Sequence, residues 1–204
     1  MIRNIIFDLG NVLISWKPEE YLHLNGYGDA ARTVIMNEII RSPEWLLLDN
    51  GDITLIEAAK RIAAKSPLEI HEILAVFDLR TSILHPLDQN TKLLPGLKEQ
   101  GFKLYYLSNF PDDIFDEIHN KYELFRYFEG GIISARVKVS KPDPGIFMLL
   151  MKTYALRPEE SLFIDDIAVN SHSAESVGIT GVHLSDPDLL CQLLEEKLGV
   201  ILSP

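Results

Sequence analysis

Three apolar runs in this chain end abruptly on polar residues, and that pattern restricts the possible folds more than any other feature. Residues 3–8, RNIIFD, end on Asp8. FKLYYLSN ends on Ser108 and Asn109, and SLFID runs into the acidic pair Asp165–Asp166. Short continuous apolar runs are what a parallel sheet covered on both faces requires of its strands. From about residue 86 the runs alternate with segments of helical spacing. These are LDQNTKLLPGLKEQG, stopped by Gly101, then PDDIFDEIHNKYELF, DPGIFMLLMKTYAL, VNSHSAESVG and DPDLLCQLLEEKLG, with GGIIS and TGVHLS as further short strands. Alternation of this kind predicts an α/β fold, a parallel sheet flanked by helices and joined by right-handed crossovers. In such sheets ligands bind beyond the carboxyl ends of the strands. Asp8, Ser108, Asn109, Asp165 and Asp166 are therefore expected along one rim, with Lys141 of the turn VSKPDPG beside them.

Residues 18–85 read differently. DAARTVIMNEII, TLIEAAKRIAAK and PLEIHEILAVF carry apolar residues at helical spacing. Thr54 and Glu57 form a capping-box pattern, and Pro67 suits a first turn. Asn50-Gly51, inside SPEWLLLDNGDIT, signals a turn. The expectation is a helical insertion, residues 16–86, in an α/β core built from residues 1–15 and 87–204.

Composition narrows the partners. The 204 residues are 47% hydrophobic, enough for one domain or a domain with an insertion. The net charge of −11 repels a phosphate backbone, so nucleic acid is not an expected partner. The same charge means that a phosphorylated ligand needs local cations, a metal ion or backbone N–H groups. No apolar run is long enough to cross a bilayer, and Asp8 interrupts the only early apolar stretch, so neither membrane nor signal peptide is expected. The lone Cys191 fits a small apolar residue on the last helix and a reducing compartment, and the cytoplasm is the expected location. The six histidines show no metal spacing, and His172, close after the acidic pair, reads as a surface residue.

The loop FDLGNVL, the strand end LSN, the lysine of SKPDPGIF and the pair in FIDDIAVN occur in that order along the whole chain. The sequence resembles the haloacid dehalogenase-like hydrolase superfamily. The resemblance implies a Rossmann-like core with a small helical cap domain, and a Mg²⁺-dependent phosphatase acting on a small phosphorylated metabolite. It implies that Asp8 attacks phosphorus and forms an aspartyl phosphate. Mg²⁺ would be held by Asp8, the Gly10 carbonyl and Asp166, with Asp165 orienting a water or a neighbouring ligand. Ser108 and the Asn109 N–H would donate to phosphate, and Lys141 would offset the crowded anions. The cap would set specificity, with Trp45 as a flat face for a sugar ring and Asp49 as a hydroxyl partner. It would open and close on hinges near residues 15 and 86. The protein would be a monomer or homodimer.

One departure is plain. Most phosphatases of the superfamily carry a second aspartate two residues after the nucleophile, where this chain has Gly10. Metal binding through a backbone carbonyl survives that change; general acid–base help, typically worth roughly 10²–10⁴ in rate, does not. The DLGN loop is shared with phosphatases resembling those that act on glucose 1-phosphate, whose leaving oxygen needs less help. Asn11, His23 or Asp49 could instead orient water. A 2-haloacid dehalogenase also lacks this acid, and Arg41 could serve as its carboxylate-binding cation, but adjacent Asp165 and Asp166 oppose that reading. A catalytically weak binding or regulatory domain is the third alternative.

Overall fold

The computed structural model describes residues 1–202. Its centre is a five-stranded parallel sheet. The strands are β1 (Asn4–Phe7), β4 (Lys103–Ser108), β5 (Gly130–Ile133), β6 (Ser161–Asp165) and β7 (Thr180–His183), in the order β5-β4-β1-β6-β7. The chain leaves central β1 toward β4 and β5, then returns to lay β6 and β7 on its other side. β1 is thus the point where the winding reverses, and a crevice opens beyond its carboxyl end. All four residues of β1 are buried. Ile5 and Phe7 pack into one apolar layer and Ile6 into the other, as period-two side chains must. Register pairs Phe7 with Tyr106 of β4 and with Ile164 of β6, which sets Asp8 and Asp165 level on adjacent strands.

Between β2 (Ile14–Ser15) and β3 (His85–Pro86) lies a helical segment: α1 (Pro18–Leu24), α2 (Asp29–Ile35), α3 (Pro43–Asp49), α4 (Leu55–Ala63), α5 (Ile70–Asp78) and α6 (Arg80–Ile83). It has an apolar cluster of its own, built on Leu22, Ile39, Leu48, Ile62, Ile73 and Phe77. β2 and β3 pair antiparallel, Ile14 with Pro86 and Ser15 with His85, so the two crossings between core and cap are hydrogen-bonded to each other. The Thr54–Glu57 capping box forms as expected, with Glu57 N–H donating to Thr54 Oγ1 at 3.2 Å. Pro67 does not open a helix. α5 begins at Ile70, behind a second capping box between Glu69 and Glu72 that satisfies its first N–H groups. α2 runs on into a π turn, Met36–Ile40, with Arg41 N–H bonded to the Met36 carbonyl.

The core helices are α7 (Asp88–Thr91), α8 (Leu93–Glu99), α9 (Asp112–Lys121), α10 (Ser134–Val137), α11 (Pro144–Thr153), α12 (Ala168–Ser176) and α13 (Leu190–Leu198). Side chains of α8, α9 and α13 join the layer on one face of the sheet, and those of α11 and α12 the layer on the other. The single helix expected over residues 87–101 is broken at Lys92. Pro95 cannot donate to the Thr91 carbonyl, so the first stretch closes early. Gly101 ends the second at φ +88°, as expected. Ser134, expected to end a strand, instead starts α10. Among the described residues no helix is long and apolar enough to cross a membrane.

Candidate active site

Three strand ends and one turn converge at the crevice beyond β1. Asp8, one residue past β1, is buried, and its N–H donates to the Ile164 carbonyl. Oδ1 accepts from Ser108 Oγ at 2.7 Å and lies 2.8 Å from Lys141 Nζ. The same ammonium donates to Asp165 Oδ2 at 2.6 Å. Lys141 is thus a fully covered cation set between two carboxylates on neighbouring strands. Its position is fixed by Asn109, whose amide donates to the Lys141 carbonyl and accepts from the Lys141 N–H, both at 2.8 Å. Asp165 is saturated. Oδ1 accepts from the Ile167 N–H at 2.8 Å, and Asn170 Nδ2 reaches both oxygens at 3.0 and 3.1 Å.

Asp166, half-buried at the mouth, accepts from Asn11 Nδ2 at 3.0 Å, and Asn11 Oδ1 accepts from the Trp16 N–H at 2.9 Å. Asn11 sits at φ +52°, a left-handed conformation that asparagine tolerates better than most residues. Its amide therefore closes the loop after β1 and ties it to the rim of β6.

The charges do not balance. Burial pushes Asp8 up to about 6 against the pull of Lys141, and Asp165 adds to the rise. Burial and Asp165 also raise Asp166, against Asn11 and Lys141. Burial by itself would lower Lys141, but Asp8 and Asp165 outweigh it and hold the ammonium above its usual value. Three carboxylates facing one ammonium leave an excess of two negative charges, which a divalent cation neutralises. The donor set fits such an ion. Asp8, Asp165 and Asp166 each offer an oxygen within 4.8 Å of the others. Among the described residues, Asp8 Oδ2 and the Gly10 carbonyl accept no hydrogen bond. Asp8 and Asp166 can turn an oxygen to a metal without breaking the network, whereas Asp165 is committed to Lys141 and Asn170.

A cavity of about 300 Å³ stands over these groups, at the small end of metabolite sites. Asp8, Gly10, Asn11, Ser108, Asn109, Lys141 and Asp166 line its floor, so the rim residues expected from the sequence are all there save Asp165, which lies beneath. The cap supplies Trp45, Leu46, Asp49 and Arg80. Trp45 stacks on Trp16 at 5.6 Å and on Phe77 at 5.8 Å, so it both fills the cap core and walls the cavity. Three named candidates are elsewhere. His23 and Arg41 are exposed and bond Arg32 and Asn37 respectively, and His172 is exposed on α12. Sequence reasoning missed Asn170 and Arg80. Buried Arg80 donates to the Phe77 carbonyl and, at 2.9 Å, to Asp113. Asn170 lies five residues after Asp165, in the first turn of α12, and that placement after the acidic pair could have found it.

A family model described as haloacid dehalogenase-like hydrolase matches residues 2–178. Sesquiterpene phosphatase astK of Aspergillus oryzae is 30% identical over 196 residues, 95% of each chain. Drimenol cyclase drtB of Aspergillus calidoustus is 26% identical over 203 residues, which span 98% of this chain and 37% of that longer protein. A solved HAD family enzyme of Bacteroides thetaiotaomicron, bt-2542, in complex with magnesium and inorganic phosphate, has a TM-score of 0.69. It is 26% identical, over 90% of this chain and 94% of that one.

Proposed function

This chain belongs to the haloacid dehalogenase-like hydrolases, and from that premise we propose that it is a Mg²⁺-dependent phosphatase that hydrolyses a small phosphorylated metabolite through an aspartyl phosphate on Asp8. One observation carries the reading. Asp8 presents a free oxygen, Oδ2, while Ser108 and a buried lysine hold Oδ1, at the floor of a cavity with room for a phosphate ester. The Asp8 carboxylate attacks phosphorus in line with the ester oxygen. Lys141 and Ser108 keep it aimed, and the Asn109 N–H and Lys141 offset charge on the phosphoryl oxygens. Asp8, the Gly10 carbonyl and Asp166 would hold Mg²⁺, which supplies the positive charge that lets a carboxylate meet a phosphate. The magnesium and phosphate bound by bt-2542 are consistent with that assignment.

Residues 1–15 and 87–204 act as the catalytic core, and 16–86 as a cap hinged where β2 pairs with β3. A sugar phosphate would rest its ring on Trp45 and meet Asp49 and Arg80 with its hydroxyls. A second substrate reading has its own observation. Trp16, Trp45, Leu46, Leu84, Phe110 and Ile114 make most of the wall apolar, which suits an ester of an apolar alcohol such as a terpenoid.

The test is free-phosphate release from p-nitrophenyl phosphate with and without Mg²⁺, and chloride release from 2-chloropropionate. Metal-dependent phosphate release supports the proposal. Metal-independent chloride release would make the chain a dehalogenase, and silence in both a binding domain. Glucose 1-phosphate against farnesyl phosphate, compared by kcat/KM, then separates the two substrate classes.

A further inference from the structure

We propose that Asp49, on the cap, is the general acid and base of this enzyme, in place of the carboxyl that most phosphatases of the superfamily carry two residues after the nucleophile. The inference rests on the phosphatase reading and goes beyond it by assigning the proton. Position 10 is vacant as well as glycine: a Cβ built there meets no atom within 4 Å, so no other side chain has moved in to take over the task. Of the side chains lining the cavity, four end in a carboxyl or amino group: Asp8, Lys141, Asp166 and Asp49. The first is the nucleophile, the second is clamped between Asp8 and Asp165, and the third belongs to the metal donor set. Asn11, another candidate, has its carboxamide committed on both sides, to Asp166 and to Trp16. Asp49 remains.

Its surroundings suit a proton donor. The Asp49 carboxyl sits half-buried at the end of α3, and burial pushes it up to about 8, against the lowering influence of Arg80. A carboxyl raised that far holds its proton at neutral pH, and Asp49 lines the cavity. The charged group that acts on it is Arg80 on α6, itself paired with Asp113 on α9, while Asp8, Lys141 and Asp166 line the floor of the same cavity. The end of α3 is tied down on the core side. Ser134 Oγ donates to the Asp49 carbonyl and accepts from the Phe110 N–H, and Lys138 Nζ donates to the Gly51 carbonyl. Gly51, at φ +67°, lies so close that a Cβ there would come 2.8 Å from the Ala135 carbonyl oxygen. The end of α3 that carries Asp49 is therefore held against the core at α10.

The proton balance closes. Asp8 attacks phosphorus, the P–O ester bond breaks, and the leaving oxygen keeps the electron pair and takes the Asp49 proton. Asp49, now a carboxylate, removes a proton from the water that attacks the aspartyl phosphate. Phosphate leaves, and Asp8 and Asp49 return to their starting forms.

A series of substituted phenyl phosphates tests this, from p-nitrophenyl, whose phenolate leaves without a proton, to p-methoxyphenyl, whose leaving oxygen needs one. Asp49→Asn should lose about 10²-fold more kcat on the p-methoxyphenyl ester than on the p-nitrophenyl ester. The wild-type rate should fall on an alkaline limb near pH 8 that the variant lacks. Gly10→Asp placed in the Asp49→Asn background should restore the lost kcat on the p-methoxyphenyl ester, since the empty space beside Asp8 accepts the side chain. Equal losses along the whole series, or no loss at all, in a variant that keeps the wild-type circular dichroism spectrum overturn the inference and leave the phosphatase reading standing. A wild type inactive on every ester overturns both.

Discussion

The floor and the roof of the cavity are built on opposite principles. On the floor, nearly every polar atom is spoken for: Lys141 joins Asp8 to Asp165, Asn109 aligns Lys141, and Asn170 aligns Asp165. On the roof, Trp45 and Leu46 line the cavity together with the Asp49 carboxyl, which burial pushes up to about 8, and the charged group acting on it, Arg80, is held by Asp113. The difference separates two tasks. The floor holds charge rigidly where the phosphoryl group reacts, because preorganised charge needs no rearrangement during the reaction. On the proposed mechanism, the roof selects the leaving group and manages its proton. Floor substitutions should therefore damage chemistry on every substrate, and roof substitutions should discriminate among substrates.

The largest effect is expected at Asp8. Asp8→Asn should lower kcat by at least about 10⁴-fold on every ester while leaving the melting temperature near that of wild type. A substrate-dependent loss would break the distinction between floor and roof. Lys141→Met comes next. It strands two buried carboxylates, so besides abolishing turnover it should cost about 3–5 kcal/mol in urea unfolding. That loss should deepen as pH rises, because Asp8 must then ionise with no cation beside it. A variant as stable as wild type at pH 8 would contradict the account of the floor.

Trp45→Ala touches the roof alone. It should raise KM by a few-fold to roughly 10-fold for a substrate with a flat or apolar leaving group, and less for p-nitrophenyl phosphate. Because Trp45 also packs on Phe77, it should cost about 2 kcal/mol of stability. The smallest effect sharpens the comparison from the roof side. The Asp49 carboxyl rises from 3.8 to about 8 on folding, so the stability it favours is present below pH 4 and is lost as pH climbs toward 8. Thermal melts of wild type should fall over that interval more than those of Asp49→Asn. Parallel curves would place the Asp49 carboxyl in water.

The same division explains what the sequence revealed. Asp8, Ser108, Asn109 and Asp165–Asp166 each close an apolar strand, so local pattern and parallel-sheet geometry were enough to bring them to one rim. The Thr54 capping box was equally local. Asn109 shows where local reading stops: its backbone was expected to serve phosphate, but that its side chain aligns Lys141 depends on a contact across 32 residues. Arg80 and Ser134 gain their parts only when the cap meets the core, through Asp113 and the Asp49 carbonyl. Pro67 was expected in the first turn of a helix, and Pro95 lay inside a segment read as one continuous helix. In each case backbone hydrogen bonding, a capping box at Glu69 or a missing N–H at residue 95, decided the boundary instead.

Everything proposed for the floor depends on Asp8 forming a covalent bond to phosphorus in the presence of a divalent cation. The direct measurement is mass spectrometry of enzyme mixed with p-nitrophenyl phosphate, acid-quenched during turnover, with Mg²⁺ or with a chelator. The account predicts a hydroxylamine-labile phosphoryl group on the peptide containing Asp8, formed only with Mg²⁺. Steady turnover with no label on that peptide, or equal labelling in the chelator, would contradict it.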